Sequence, residues 1–287
     1  MKHLLKINDL SKEEFDKILD LAAELKAGPL NTDILKGKSL GMIFAKSSTR
    51  TRVSFEVGMY QLGGQALCLN AGDIQLGRGE TIYDTANTLS RYLDGIMIRT
   101  FKQSDVQGLA EFGQIPIING LTDDHHPCQA LADLLTIKEH KGGLEGVKVA
   151  YIGDGNNVAV SLAEACNLAG AKIAVAAPVG YEGGVATTTS PEEAVCDADV
   201  IYTDTWASMG QEEEKESRAR IFAPYQVNSK LMSLAKKDAI FMHCLPAYRG
   251  YEMTEDVIDG PQSVVFDQAE NRLHAQKAVM AILMGGV

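Results

Sequence analysis

Apolar residues recur along this chain in two ways, as short continuous runs and as longer stretches with helical spacing. The first stretch, residues 11–25, is amphipathic, with Ser11 in the N-cap position and Glu14 three residues later, and it predicts a helix. The run at residues 39–45 predicts a strand. It leads into the polar segment KSSTRTR and then into VSFEVGMYQLGG, whose spacing indicates a helix that ends at glycine.

The order of strand, loop and helix repeats along the chain. QALCL precedes DTANTLSRYL, DGIMIRT precedes DVQGLAEFG, and IPIING precedes CQALADLLTIKEH. After the polar, glycine-rich segment KGGLEGVK, a second series runs through VKVAYIG, SLAEACNLAG, AKIAVAAP, DVIYTDT, AIFMHCLP and SVVF. Such alternation is typical of open parallel α/β sheets. We therefore expect an α/β protein of two doubly wound parallel-sheet domains, 1–140 and 146–270, with the C-terminal helix, 271–287, returning to the first domain.

Composition narrows the class of protein. With 287 residues, 45% of them hydrophobic and 23% charged, the chain has the balance of a folded protein of two domains. No apolar run approaches the ~18–20 residues of a membrane span, and the opening residues are too charged for a signal peptide, so we expect a cytoplasmic protein. Five scattered cysteines without a CxxC pair indicate free thiols. The net charge of −11 argues against a nucleic-acid surface but not against a locally basic pocket.

The segment KSSTRTR lies at a predicted strand-to-helix turn, where open N–H groups and the helix dipole favour an anion. Hydroxyls of Ser48, Thr49 and Thr51 can donate hydrogen bonds, and Arg50 and Arg52 offer forks that match phosphate oxygens. The simpler interpretation is a polar loop with two surface arginines. Because two cations at a helix N-terminus oppose the dipole, the pattern favours an anion site.

Three motifs follow one another along the chain: STRTR at 48–52, HPCQ at 126–129 and HCLP at 243–246. Arg99 in MIRT and Arg272 in AENR accompany them. Together they resemble the aspartate and ornithine carbamoyltransferase family over almost the whole chain. The resemblance implies carbamoyl phosphate as one substrate, a homotrimer, and no cofactor or metal.

The resemblance assigns one group of residues to the phosphate, the carbonyl oxygen and the amide of carbamoyl phosphate. The residues implied are Ser48, Thr49, Arg50, Thr51, Gln75, Arg99, His126, Gln129, Cys244, Leu245 and Arg272. Among them, His126, Arg99 and Thr51 would face the carbonyl oxygen as an oxyanion hole, and Gln75 matches a position that reaches a neighbouring subunit. Taken singly, His126 and Gln129 would more often be structural, and Arg52 stays open between site residue and ion-pair partner.

The segment GDGNN, 153–157, follows a predicted strand and precedes a helix, as in a dinucleotide fingerprint. NAD is disfavoured because Val158 occupies the third glycine position and no acidic residue ends the next strand. The resemblance instead makes GDGNN the loop for the acceptor, and TDTWASMG matches the DxxxSMG pattern of the ornithine-specific members. The residues implied for ornithine are Asn157, Asp204, Ser208 and Met209. The simpler interpretation of Asp204 alone is an acidic strand end before a surface loop.

The implied reaction is attack of the neutral δ-amine of ornithine, whose lysine-like reference pKa is about 10.4, on the carbonyl carbon, with phosphate leaving. Cys244 would contact the amine and, with Asp204, help it lose a proton; it is not a covalent nucleophile. In the family the bond from Leu245 to Pro246 is cis. The catalytic residues implied are Arg99, His126, Asp204 and Cys244.

The chain departs from the family pattern in two places. Residues 181–194 read YEGGVATTTSPEEA, shorter by about a helix than in relatives, and Gly79 stands where some relatives have lysine. Two kinds of alternative function stay open. One is a carbamoyltransferase acting on putrescine, aspartate or an acylated ornithine, and the other is a sensor that binds carbamoyl phosphate without turnover.

Overall fold

A computed structural model describes residues 1–29, 31–207 and 212–287. The chain divides into two compact units, one formed by Met1–Leu135 with Asn271–Val287 and the other by Thr136–Glu270. Each unit is built on its own four-stranded parallel sheet, so the predicted α/β fold is confirmed. Ser208 and Met209, which the sequence assigns to ornithine, lie outside the described residues.

The sheet of the first unit has the strand order β2-β1-β3-β4. Its strands are β1 (Ser39–Phe44), β2 (Gln65–Asn70), β3 (Gly95–Arg99) and β4 (Ile117–Leu121). In the described part of the chain, one α-helix precedes β1, three connect the strands and one directly follows β4. They are α1 (Lys12–Ala27), α2 (Thr49–Gln61), α3 (Ile82–Leu89), α4 (Gln103–Phe112) and α5 (Pro127–Lys141). From β1 the chain proceeds to one edge of the sheet and then returns to the other side of β1. The carboxyl ends of β1 and β3 therefore form a topological switch point, where open α/β sheets bind ligands.

The sheet of the second unit has the order β6-β5-β7-β8 and the same kind of switch point, between β5 and β7. Its strands are β5 (Lys148–Ile152), β6 (Lys172–Ala176), β7 (Val200–Thr203) and β8 (Ile240–His243). The later helices are α6 (Asn157–Ala169), α7 (Pro191–Val195), α8 (Lys215–Phe222), α9 (Ser229–Met232), α10 (Glu255–Ile258) and α11 (Val265–Met280). From Asn271 onward, α11 belongs to the first unit.

Local chemistry explains where α1 begins. Ser11 Oγ accepts the N–H of Glu14 at 3.2 Å, and the Glu14 carboxylate accepts the N–H of Ser11 at 3.0 Å, so both N-terminal donors are satisfied by the predicted capping box. The apolar face of α1 then packs inward through Phe15, Ile18, Leu19 and Ala22, all buried. The predicted helix and its start are confirmed.

One segment differs from the expectation, and a second differs at one residue. SVVF, at 263–266, was placed in the strand series but contributes only an isolated bridge from Ser263 to Phe241, because α11 begins at Val265. The charge density of QEEEKESRAR, 211–220, predicts a solvated helical or loop face, and most of its described residues are exposed. Its described part forms a 3-10 turn and α8, and Arg218 within it is only 6% exposed. Among the described residues, no helix is long and apolar enough to cross a membrane.

Candidate active site

The turn after β1 carries the first cluster of candidate residues. Ser48 is the N-cap of α2: its Oγ accepts the N–H of Thr51 at 3.2 Å and donates to Thr51 Oγ1 at 3.1 Å. Parallel register pairs Phe44 with Arg99, and the Arg99 carbonyl accepts the N–H of Ala45 at 2.8 Å. Arg99 therefore lies beside this turn at the switch point, and its side chain is 9% exposed.

Arg272, from α11, joins the turn to the HPCQ motif. Its Nη2 donates to Thr51 Oγ1 at 3.3 Å, and its Nη1 donates to Gln129 Oε1 at 2.7 Å. Gln129 Nε2 in turn donates to Asp133 Oδ1 at 2.8 Å. With Oε1 accepting from a guanidinium and Nε2 donating to a carboxylate, the Gln129 amide has a defined orientation. The structure thus brings Thr51, Gln129 and Arg272 together, as the sequence predicts.

His126 precedes the first residue of α5, and its carbonyl accepts the N–H groups of Gln129 and Ala130. Its ring is 5% exposed. Burial first, and then the positive charges of Arg272, Arg99 and Arg50, hold the pKa of His126 well below its usual value. The imidazole is therefore neutral near pH 7 and can donate one hydrogen bond without adding a fourth charge.

Arg50 and Arg52 occupy different environments on the same turn. Arg52 is exposed and its Nε lies 3.4 Å from Glu56 Oε1, one helical turn later, which is the geometry of a surface ion pair. Arg50 is half-buried, contributes charge at His126 and forms no hydrogen bond or ion pair within the described ranges. Of the two arginines, Arg50 is therefore the one whose guanidinium is available to bind an anion.

Sequence reasoning missed Lys46, at the start of the same turn. Its side chain is buried, pairs with Asp123 and lies 4.4 Å from the centre of the Phe101 ring. A lysine directly after a buried strand is a signal that could have been used, since a buried ammonium needs partners. Gln75 differs: it is exposed at the start of a 3-10 turn, Gln75–Arg78, and its side chain makes no hydrogen bond within the described part of the chain.

The second cluster lies at the carboxyl ends of β5, β7 and β8. Asp204, 5% exposed, follows β7; its Oδ2 accepts Asn156 Nδ2 at 2.9 Å, and its Oδ1 accepts the Cys244 thiol at 2.9 Å. The backbone N–H of Thr205 also donates to Oδ1, at 2.7 Å. Asp204 and Cys244 are thus in contact, as the predicted proton-transfer pair requires.

Asn156, which the sequence analysis left out, is the N-cap of α6. Its Oδ1 accepts the N–H groups of Val158 and Ala159, while its Nδ2 reaches Asp204. Asn157, the predicted ornithine ligand, is the first residue of α6 and is half-buried. Asn156 stands directly before the predicted helix, and asparagine is a preferred N-cap residue, so the sequence did contain a signal for this cap.

The HCLP turn is supported by a buried pair of side chains. The amide N–H of Leu245 donates to His243 Nδ1 at 2.9 Å, so the His243 proton lies on Nε2, 3.2 Å from Glu252 Oε1. Glu252 Oε1 also accepts the N–H of Tyr248 at 2.7 Å. Leu245 has a φ of +57°, a left-handed conformation that side chains disfavour, and its bond to Pro246 is cis, as predicted. The imidazole and the carboxylate therefore support the turn that carries Cys244.

Arg218 links the segments around Asp204. Its Nη1 donates to Asp154 Oδ2 at 2.9 Å and to the Trp206 carbonyl at 3.0 Å, and its Nε donates to Glu214 at 3.1 Å. Burial raises the pKa of Asp154, although the charge and hydrogen bond of Arg218 oppose that rise. Since Asp154 belongs to GDGNN and Trp206 to TDTWASMG, one guanidinium connects both acceptor segments predicted from the sequence.

Ligand atoms of Asp204, His243 and Cys244 lie within 4.8 Å of one another, a spacing that could hold a metal ion. Both His243 nitrogens are, however, engaged by Leu245 and Glu252. A metal would have to displace one of these contacts, so we assign none.

Comparison with known proteins agrees with this geometry. Residues 2–139 match the family model described as the aspartate/ornithine carbamoyltransferase carbamoyl-P binding domain, and residues 145–283 match that of the Asp/Orn binding domain. The chain belongs to the aspartate/ornithine carbamoyltransferase family.

Several members of the family that are similar to this chain are ornithine carbamoyltransferases. That of Bacillus subtilis is 57% identical over 303 residues, covering 99% of this chain and 95% of the relative. That of Caldicellulosiruptor saccharolyticus is 56% identical over 306 residues, covering 100% and 99%. The solved structure of ornithine carbamoyltransferase from Pyrococcus furiosus matches with a TM-score of 0.94 at 55% identity, covering 100% of this chain and 98% of that chain.

Proposed function

We propose that this chain transfers the carbamoyl group of carbamoyl phosphate to the δ-amine of L-ornithine, giving L-citrulline and phosphate. The acceptor half of the site carries the assignment most directly. A buried carboxylate, Asp204, touches the Cys244 thiol on one oxygen and the Asn156 amide on the other. Such a carboxylate pairs with an ammonium group and is unsuited to the side-chain carboxylate of aspartate.

The first unit supplies donors for carbamoyl phosphate. The open N–H groups at the start of α2, together with Ser48, Thr49 and Arg50, bind the phosphate, with Gln75 contributed by a neighbouring subunit. Arg99, Thr51 and the neutral His126 donate to the carbonyl oxygen and stabilise the charge that develops there. Gln129 and the Leu245 carbonyl accept from the amide, and Arg272 orients both Thr51 and Gln129.

In the reaction, the neutral δ-nitrogen attacks the carbonyl carbon and forms the new C–N bond. The bond from that carbon to the phosphate oxygen breaks, and the phosphate leaves with the electron pair. The amine proton passes toward the Asp204–Cys244 pair or to the departing phosphate. Asn157 and the Ser208-Met209 segment hold the α-amino acid end of ornithine. All steps use side chains of this protein and its two substrates.

A comparison of acceptors tests the assignment. Purified protein should form citrulline from ornithine and carbamoyl phosphate, and should carbamoylate putrescine at a far lower kcat/KM. A site that pairs the α-ammonium and α-carboxylate groups of ornithine rejects an analogue that lacks them by as much as ~10⁴-fold. A preference for putrescine would assign the chain to that diamine, and binding of carbamoyl phosphate without turnover would make it a sensor.

Replacement of Asp204 tests the residue that carries the proposal. Asp204→Asn should lower kcat/KM for ornithine by roughly 10²–10³-fold while the affinity for carbamoyl phosphate changes little. Asp199→Asn is the matched control, because Asp199 precedes the same strand, β7, at its opposite end and pairs with Lys236. Equal ornithine kinetics in the two variants would contradict the role of Asp204.

We also propose a homotrimer that acts in the cytoplasm in arginine metabolism, since ornithine and citrulline share the carbon skeleton of arginine. The oligomer is supported by an exposed apolar face on α2, Val53, Val57 and Tyr60, and by Leu67 on the edge strand β2. The proposal includes no nucleic-acid or membrane partner. Cell fractionation tests the location.

A further inference from the structure

Residues 181–184, the acceptor-side brace, lie directly against the GDGNN turn. The N–H of Gly155 donates to the Tyr181 carbonyl at 2.8 Å. The contact is backbone against backbone: a Cβ on Gly183 would stand 1.5 Å from the Gly155 oxygen, and a Cβ on Gly155 would stand 2.3 Å from the Glu182 oxygen. Only glycine at both positions permits this approach.

The brace is itself held in place. The Glu182 carbonyl accepts the N–H groups of Val185 and Ala186, at 3.1 and 3.0 Å, and its carboxylate accepts the N–H of Gly180 at 2.9 Å. The Tyr181 ring packs 4.8 Å from the Arg218 guanidinium and meets the Phe222 ring edge-on. The brace is therefore a folded turn anchored on α8.

Displacement at Gly155 would be passed to the acceptor residues. Asn156, the next residue, caps α6 and donates to Asp204, and Asn157 follows it. On the other side, Asp154 is bonded to Arg218, which also holds the Trp206 carbonyl. The brace thus adjoins a turn that can shift Asp204 and Asn157 together.

We propose that residues 181–184 are a positioning element for the acceptor and that Gly183 is its positioning residue. The proposal rests on the proposed function, because it assigns the effect to ornithine. It also gives a role to the part of the chain that departs from the family pattern. The alignment with the Caldicellulosiruptor relative spans 306 positions against 287 residues here, so at least 19 positions have no counterpart in this chain. Two successive glycines, Gly183 and Gly184, occur in the brace, and only Gly183 makes the contact with Gly155.

The two glycines form a matched pair for a test. Both have left-handed backbones, with φ of +56° and +74°, so alanine meets the same kind of backbone strain at either position. A Cβ at Gly184 has no heavy atom within 4 Å, whereas one at Gly183 collides with Gly155. The difference between Gly183→Ala and Gly184→Ala therefore isolates the contact.

We expect Gly183→Ala to lower kcat/KM for ornithine by roughly 10–100-fold, chiefly through KM, because small misplacements of a binding group have effects of that size. The KM for carbamoyl phosphate should stay at the wild-type value, and Gly184→Ala should match wild type for both substrates. Equal kinetics in the two variants, or equal losses for both substrates in Gly183→Ala, would overturn the proposal.

A milder change covers the case in which Gly183→Ala does not fold. Glu182→Ala removes only the exposed carboxylate that accepts the Gly180 N–H, and should raise the KM for ornithine by a smaller factor without changing that for carbamoyl phosphate. An unchanged ornithine KM in Glu182→Ala, alongside an unfolded Gly183→Ala, would count against a positioning role.

Fluorescence separates this inference from the proposed function. Trp206 is the only tryptophan of the chain, is 5% exposed and approaches Gly153 of the GDGNN turn. If the turn shifts, acrylamide should quench Trp206 more strongly in Gly183→Ala than in wild type or Gly184→Ala. Identical quenching in all three overturns the inference. Absence of citrulline formation by wild type would instead overturn the proposed function.

Discussion

At the residue scale, the positive charges of three guanidinium groups act on one imidazole. Arg50, Arg99 and Arg272 each act against protonation of His126, and burial acts in the same direction. Placing three positive charges near one another in a partly dry site is unfavourable unless an anion joins them. A doubly charged phosphate group restores the balance, which is why this cluster indicates a phosphate-bearing substrate more strongly than any member alone.

The two arginines of the STRTR turn provide a controlled test of that view. Arg50→Ala should reduce kcat by roughly 10²–10³-fold, the usual loss when a donor to developing charge is removed, about 2.7–4 kcal/mol. Arg52→Ala, which removes an exposed pair with Glu56, should cost at most about 1 kcal/mol in stability and leave kcat unchanged. Steady-state kinetics measured over a range of carbamoyl phosphate concentrations give the kcat of each variant. A kcat for Arg50→Ala equal to that for Arg52→Ala would contradict the phosphate assignment.

The sequence indicated the charged candidate residues better than the groups that hold them in place. Arg50, Arg99, His126 and Asp204 carry chemistry that their neighbours in sequence already indicate. Arg218 does not, because its partner Asp154 lies 64 residues away along the chain. Gly183 could not be foreseen at all, since its requirement arises from a contact with Gly155 that only the folded backbone shows.

At the scale of secondary structure elements, the hydrophobic pattern predicted every strand of both sheets. For the central strands the reason is that parallel strands buried on two faces read as continuous apolar runs. β1 illustrates this: five of its six residues are buried. The pattern failed at SVVF, where a short apolar run leads into the first turn of α11, which begins at Val265. A short apolar run fits either element, and the deciding factor was the long helical pattern that follows it.

A buried lysine in α11 contributes to stability in a pH-dependent way. Lys277 is fully buried, its Nζ donates to Gln61 Oε1 at 3.0 Å, and burial lowers its pKa. In the unfolded chain the amine keeps its proton to higher pH, so the unfolded state binds more protons and stability rises with pH. The buried, protonated amine therefore destabilises the folded state at neutral pH and destabilises it less at alkaline pH.

Lys277→Met should remove that cost. We expect a gain of about 1 kcal/mol at pH 7, equivalent to about 2–4 °C in Tm, and a smaller gain at pH 9.5 as wild type loses its proton. Thermal unfolding at the two pH values measures both gains. Lys230→Met on α9, an exposed lysine, serves as the control and should show no such pH dependence. A gain for Lys277→Met that increased with pH would contradict the sign of the effect.

At the scale of the whole molecule, the same topology is used twice. Each unit reverses its winding between two central strands, β1 and β3 in one and β5 and β7 in the other. The residues proposed for phosphate follow β1 and β3, and those proposed for the acceptor follow β5, β7 and β8. Each substrate is therefore assigned to the place where a parallel sheet leaves a crevice at its carboxyl edge.

One candidate residue has no place in its own unit's cluster. Gln75 is exposed in a 3-10 turn and makes no side-chain hydrogen bond within the described residues. The family resemblance places it in the site of a neighbouring subunit, which requires an oligomer. Light scattering should accordingly give three times the chain mass of 31.0 kDa, and a fully active monomer would contradict this arrangement.

Mixed trimers test whether Gln75 crosses to another subunit. Gln75→Ala and Asp204→Asn should each be weakly active alone, because every site lacks one group. When the two are dissociated and reassembled together, about one quarter of the sites should combine an intact Asp204 with an intact Gln75 from the next subunit. Citrulline formation should then rise well above that of either parent. A mixture of Arg99→Ala with Asp204→Asn is the control, because both groups are proposed to serve their own subunit, and on that proposal no complete set forms in the mixture. Absence of recovery in the Gln75→Ala mixture would place Gln75 in its own subunit's site or outside the reaction.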